Sequence, residues 1–150
     1  MNNDRFKCRY WHKPTNRYLR SAKLVYNDGT YTQVGTKQTP DGCCHSYIVA
    51  EHNTFDVVPE QCTGLKDNNG RLIFEGDIIC TNDKTVGVVK FGKYGGNDWE
   101  GWHFGYYIDW LRYADINNRK PTLRKDFWFW VEHRAIEIIG NIHENRKKKQ

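Results

Sequence analysis

No stretch of this chain approaches the roughly 18 consecutive apolar residues of a membrane helix, and the opening MNNDRFK has no apolar signal-peptide core. Both absences point to the cytosol. Familiar catalytic frames are missing too. Gly95-Gly96 lacks the lysine and the strand–helix setting of a phosphate-cradling loop, and no G-x-S-x-G elbow is present. There is no C-x-x-C pair. Five cysteines are an odd number and read as free thiols in a reducing compartment, with Cys62 and Cys80 flanking apolar strands as core residues. Cys43, Cys44, His45 and His52 form the one cluster worth testing for zinc. Adjacent cysteines alternate faces on a strand, however, so tetrahedral closure would need distant ligands. Neither metal nor cofactor is expected.

What the chain does have is aromatic weight. Six Trp, nine Tyr and seven Phe in 150 residues favour strands and binding surfaces over helices. The length suits one domain with a real core. The net charge of +5 is unevenly spread. Residues 1–24 carry seven Lys/Arg against Asp4, a net +6, and Arg146–Lys149 add +4. The body, 25–145, has 12 basic and 17 acidic side chains and is therefore net −5. That distribution argues against a broad positive saddle for duplex nucleic acid.

The organising stretch is Gln61–Cys80, QCTGLKDNNGRLIFEGDIIC. Lys66–Gly70 is a polar turn in which Asp and Asn side chains bond their own backbone. Leu72-Ile73-Phe74 opens a strand, Glu75-Gly76-Asp77 interrupts it as a bulge or bend, and Ile78-Ile79-Cys80 resumes it. After the turn at Asn82–Lys84, Val86–Phe91 pairs back. Strand, bend, strand, turn and strand at this spacing predict a small curved barrel. The expected fold is mainly β (β-rich α+β): an SH3-like half-barrel with additional strands and at most one short helix.

The pattern Gln61-x-Thr63-Gly64-Leu65-x-Asp67-x-x-Gly70-x-x-Ile73-x-Glu75-Gly76-Asp77-Ile78 resembles the hallmark of the YopX family of phage and prophage proteins. Phe6-Lys7-x-Arg9-x-Trp11 is similar to that family's opening strand, and Ile138–Asn145 to its closing one. Where the family continues with Pro, this chain has Arg146. The resemblance implies a β-rich body with an SH3-like part, a phage or prophage setting and no settled biochemical activity. It also casts Gly64, Asp67, Gly70, Glu75, Gly76, Asp77, Gly140 and Asn141 as structural. One YopX-like domain over 1–150 is expected: 1–58 as a small β lobe, 59–142 as the SH3-like part and 143–150 as a basic tail.

Several segments flank that centre. Residues 5–11 read as a strand with Arg5, Lys7, Arg9 and Trp11 on one face, either a track for phosphates with a stacking ring or the solvated face of an edge strand. The solvated face is preferred. Arg17–Val25 reads as one returning strand, and Gly35–His45 as an exposed loop. Lys93–Trp102, KYGGNDWEGW, reads as a loop in which glycines permit close backbone approach and Tyr94, Trp99 and Trp102 supply flat apolar surface. Asp98 and Glu100 beside them suit a protein partner or a cationic group better than phosphate. The two Trp can equally fold inward as lids. His103–Ala114 alternates as a strand, and Ala135–Ile142 is another. Residues 122–133 fit a short helix or a buried strand, and pattern alone leaves that choice open.

Glu75 and Asp77 sit at i and i+2, as an acid–base pair would, but an acidic residue beside such a glycine more often satisfies backbone amides at the bend. The preferred functional reading is a non-enzymatic phage accessory protein. It would dock on and modulate a host protein in the host cytosol through Tyr94, Asp98, Trp99, Glu100 and Trp102, with homo-oligomer formation a further expectation. The alternative is a nucleic-acid or nucleotide binder using Arg5, Lys7, Arg9 and Trp11, with weak, tail-dependent affinity at low salt. An enzyme built on Glu75 and Asp77 or on a Cys/His pair ranks last.

Overall fold

Alternating apolar residues punctuated by Gly and Asp turns dictate strands along most of the chain, and the fold follows. The computed structural model describes residues 7–19, 23–27, 30–96, 101–112, 125–133 and 136–144. It is mainly β, with a curled half-barrel sheet and one short helix, as the sequence pattern led us to expect. The strands are β1 (Cys8–His12), β2 (Arg17–Tyr18), β3 (Lys23–Asn27), β4 (Thr30–Gln38), β5 (Cys44–Asn53), β6 (Val57–Lys66), β7 (Leu72–Phe74), β8 (Asp77–Thr81), β9 (Val86–Gly95), β10 (Trp102–Arg112) and β11 (Ile136–Asn141). Helix α1 spans Phe127–His133.

The chain forms two units, Met1–Cys8 with Gln61–Gln150, and Arg9–Glu60. In the larger unit the sheet order is β10-β9-β8-β11, all antiparallel, while β7 pairs with β6. Its core is Ile73, Ile79, Val89, Ile108, Trp110, Phe127, Trp130 and Ile136. A second cluster of Ile78, Val86 and Val88 buries the other face of β8 and β9. Gly76 turns the chain between β7 and β8 at φ +84°, a conformation that costs a Cβ-bearing residue free energy. Its N–H donates to Val89 O at 2.8 Å and its carbonyl accepts from Ile142 N at 3.0 Å, so the bend is bonded on two sides.

Helix α1 settles the choice at 122–133, of which 122–124 lie outside the described residues. Phe127 and Trp130 are buried one turn apart while Trp128 is half exposed, a three-residue spacing that only a helix places on one face. The Trp130 ring packs edge-on against Trp110 with centroids 4.9 Å apart.

In the smaller unit β3, β4 and β5 form an antiparallel sheet, and β1 lies between β2 and β6. Two segments depart from the sequence pattern. Arg17–Val25 is not one strand, because β2 pairs with β1 whereas β3 pairs with β4 in a different sheet. Gly35–His45 is not a loop throughout, since β4 runs to Gln38 and β5 begins at Cys44. The turn is confined to a few residues closed by Thr39 N–H donating to Cys43 O and Gly42 N–H to Thr39 O. Polar composition signals solvent, whereas backbone pairing makes a hairpin whatever its side chains face.

Candidate functional site

The residues that carry the sequence motif are committed to architecture. Asp67 Oδ1 accepts from the N–H of Asn69 and Arg71 at 3.0 and 2.9 Å, and its Oδ2 accepts from Arg71 Nε at 2.9 Å and Ile138 N at 3.2 Å. One carboxylate thus closes the turn before β7 and ties it to β11. Burial alone would push that carboxyl up, but the amide bonds from Arg71 and Ile138 and the Arg71 guanidinium outweigh it and hold it below the ordinary value. Asp77 Oδ2 accepts from Phe74 N at 2.8 Å across the Gly76 bend, and Glu75 N donates to Gln61 O at 3.0 Å. Asn141 Oδ1 caps the chain after β11, accepting from the N–H of His143 and Glu144 at 2.9 and 3.1 Å. Gly64 and Gly70 take φ +81° and +76° in the same region, and Gly140 pairs with Ile78 across a bulge. Burial and then the nearby Glu75 push the Tyr106 hydroxyl up to about 12, and it donates to Cys62 O at 3.3 Å. These groups hold strands together.

Among the described residues, the β9–β10 hairpin carries a row of exposed aromatic rings. Its register pairs Ile108 with Val89, Tyr106 with Phe91, Phe104 with Lys93 and Trp102 with Gly95. Side chains two apart share a face, so the buried row at Val89 and Ile108 continues outward through Phe91, Phe104 and Trp102. There the cover runs out: Phe91 is 45% exposed, Trp102 64% and Phe104 75%. Phe91 packs edge-on against both Phe104 and Tyr106, at 5.1 and 5.0 Å between centroids. The Trp102 ring is held flat, with Lys93 Nζ 4.0 Å from its centroid on one side and Gly96 beneath. A Cβ on Gly96 would come within 2.5 Å of that ring, so close approach here requires glycine.

Of the expected site residues, Trp102 is on this exposed face and is not a lid. Tyr94 is on the opposite face, because it pairs with His103 and not with Trp102. It stacks on His103 and Tyr107 at 5.3 Å, and its hydroxyl donates to Asp126 Oδ1 at 3.0 Å. Asp98, Trp99 and Glu100 lie outside the described residues. Phe91 and Phe104 were not singled out from sequence; alternation marked their face but not the absence of anything above it.

The basic strand is differently placed from what nucleic-acid binding would need. Trp11 is 5% exposed and packs edge-on against Tyr18, so it offers no open ring for a base. Arg9 Nε donates to the buried Glu60 at 2.6 Å, with its guanidinium over the Tyr18 ring. Lys7 is exposed, and Arg5 lies outside the described residues. The Cys/His cluster is also dispersed: Cys43 and Cys44 are exposed at the start of β5, whereas His52 lies eight residues along it beside His12. Among the described residues no group of three or more His, Cys, Asp or Glu is placed to hold a metal.

Comparison with known proteins agrees with the motif. Among solved structures, the crystal structure of protein EF1440 from Enterococcus faecalis matches with a TM-score of 0.55 at 22% sequence identity, covering 96% of this chain and 97% of that one, a likeness of fold. Comparison with curated proteins finds no match. The family model described as YopX protein matches residues 7–148, nearly the full length, and the chain therefore belongs to the YopX family.

Proposed function

We propose that this protein is a non-enzymatic binding module that docks on another protein through the aromatic face of the β9–β10 hairpin. The observation that carries this reading is the row Phe91, Phe104 and Trp102, exposed together on the continuation of a core face. Interfaces concentrate binding energy in a few such rings, which lose little entropy on contact. Lys93 over Trp102 supplies a polar group at the edge of that face. The finer picture belongs to the same proposal: an SH3-like half-barrel in a phage or prophage accessory protein, acting on a host protein in the cytosol.

The test compares parent protein with a Trp102→Ala/Phe104→Ala double variant, using Trp128→Ala on α1 as an exposed-aromatic control. Affinity capture from nuclease-treated host lysate and solution mass are measured for all three. A partner, host protein or second copy, should be held by parent and control and lost by the double variant, since one anchor is worth about 2 kcal/mol or more. Because both rings are already exposed, the double variant should melt within about 1 kcal/mol of the parent. Equal capture by all three proteins would remove the hairpin from consideration.

A further inference from the structure

The smaller unit contains an open cleft of about 790 Å³. Two histidines distant in sequence meet there, His12 of β1 and His52 of β5, with ring centroids 4.9 Å apart and near edge-to-face. Each is oriented by a neighbour. Thr15 Oγ1 lies 2.7 Å from His12 Nδ1, and His52 Nε2 donates to Gln33 Oε1 at 3.0 Å. These bonds leave His12 Nε2, His52 Nδ1 and the Gln33 amide hydrogens available for a ligand. Arg17 lines the same cleft and makes no ion pair among the described residues.

The surrounding charges favour an anion. Among the described residues no carboxylate lines the cleft. Glu60 is engaged by Arg9 and by the Tyr18 hydroxyl, and Glu51 alternates to the strand face opposite His52. Lys13 is turned to Phe55 O, leaving Asp56 as the acidic group that acts on His52. Burial first, then the proximity of His12, holds the His52 imidazole below its ordinary value. Two imidazolium rings this close repel unless a negative charge sits between them.

We propose that this cleft binds a phosphate monoester, its dianionic head held by Arg17, His12 and His52 and its body lying against Leu19 and Val49. Guanidinium, protonated imidazole, hydroxyl and amide are all donors, matching a ligand whose oxygens only accept. A metal ion would instead need neutral rings and further carboxylate or thiolate ligands, which the described cleft does not offer. Leu19, Val49 and Ala50 give the cleft an apolar side, so a bare oxyanion fills only part of it. This site is independent of the hairpin face and stands or falls separately.

The experiment follows the histidine ring proton resonances at matched ionic strength, with chloride as background. Sulfate serves as the pH probe because it stays dianionic throughout, and phenyl phosphate is compared with inorganic phosphate. Sulfate should shift His12 and His52 saturably, raise the titration midpoint of His52, and bind about tenfold tighter at pH 6 than at pH 8. Phenyl phosphate should bind more tightly than inorganic phosphate. Arg17→Gln, at an exposed position, should weaken binding about tenfold without altering the melting curve. His12→Gln and His52→Gln should each diminish the pH difference. No saturable shift, an unchanged affinity in Arg17→Gln, or a response to zinc but not to sulfate would each overturn the proposal. Arg17→Gln alone decides the matter if a histidine variant fails to fold.

Discussion

Asp67 shows how one side chain holds a fold. Its carboxylate accepts four bonds, two from the turn backbone, one from the Arg71 side chain and one from Ile138 in β11, while Arg71 Nη2 continues to Ile138 O at 2.6 Å. A carboxylate so placed releases its proton more readily folded than unfolded. As pH falls, the unfolded chain takes up the proton first, so this contribution is complete above about pH 4 and drains away as pH drops through the folded value. Asp67→Asn keeps the shape but loses the charge and some acceptor capacity. It should cost on the order of 2 kcal/mol at pH 7, read by urea or thermal unfolding. The gap between parent and variant should narrow by pH 3. An equal gap at both pH values would show that shape, and not charge, is what Asp67 supplies.

Among the elements, the stretch from β7 to β9 was legible because turn chemistry and alternation agree there: Asp and Asn at the turn, Gly at the bend and β-branched residues between them. Two glycines in that region can be separated by cause. Gly76 is conformational, with φ +84°, so Gly76→Val should cost on the order of 1–3 kcal/mol through backbone strain. Gly87 is steric. A Cβ there would clash with Ile108 Cγ2 and meet Trp110 Cε3 at 2.9 Å, so Gly87→Ala should cost a similar 1–3 kcal/mol or so by overpacking. Gly101→Ala, with nothing within 4 Å of the new carbon, is the near-neutral control. Thermal melts of the three variants check the assignments; a neutral Gly76→Val would dismiss the strained bend between β7 and β8. Other elements were illegible for definable reasons. α1 is too short to separate its period from that of a strand when four of its seven residues are aromatic. Phe104 follows its strand's alternation faithfully, yet alternation does not say whether another layer lies above. His12 and His52 are forty residues apart, and only the folding of the smaller unit brings their rings together.

At the scale of the whole molecule, net charge is a poor guide to what the surface attracts. The +5 total is the difference between basic ends and a body that carries −5. Even within the basic N-terminal segment the cations are not equivalent. Arg9 is committed to Glu60, whose side chain is only 3% exposed, and replacing it would strand that carboxylate in the protein interior. An Arg9 variant should therefore lose stability before it loses any affinity for polyanions. The four cations of Arg146–Lys149 are consecutive in sequence and follow the closing motif Ile138–Asn145. If phosphates are attracted at all, counterion release should come mainly from that tail. Each phosphate neutralised contributes about 0.7 to 0.9 to the slope of log K against log salt. Deleting 146–150 should thus flatten the slope for single-stranded DNA by roughly 3 and leave little binding near physiological salt. Fluorescence anisotropy over a salt series measures this directly. Tight binding by the tailless protein, with its slope intact, would show a second basic surface and would favour a nucleic-acid ligand over a protein partner for this fold.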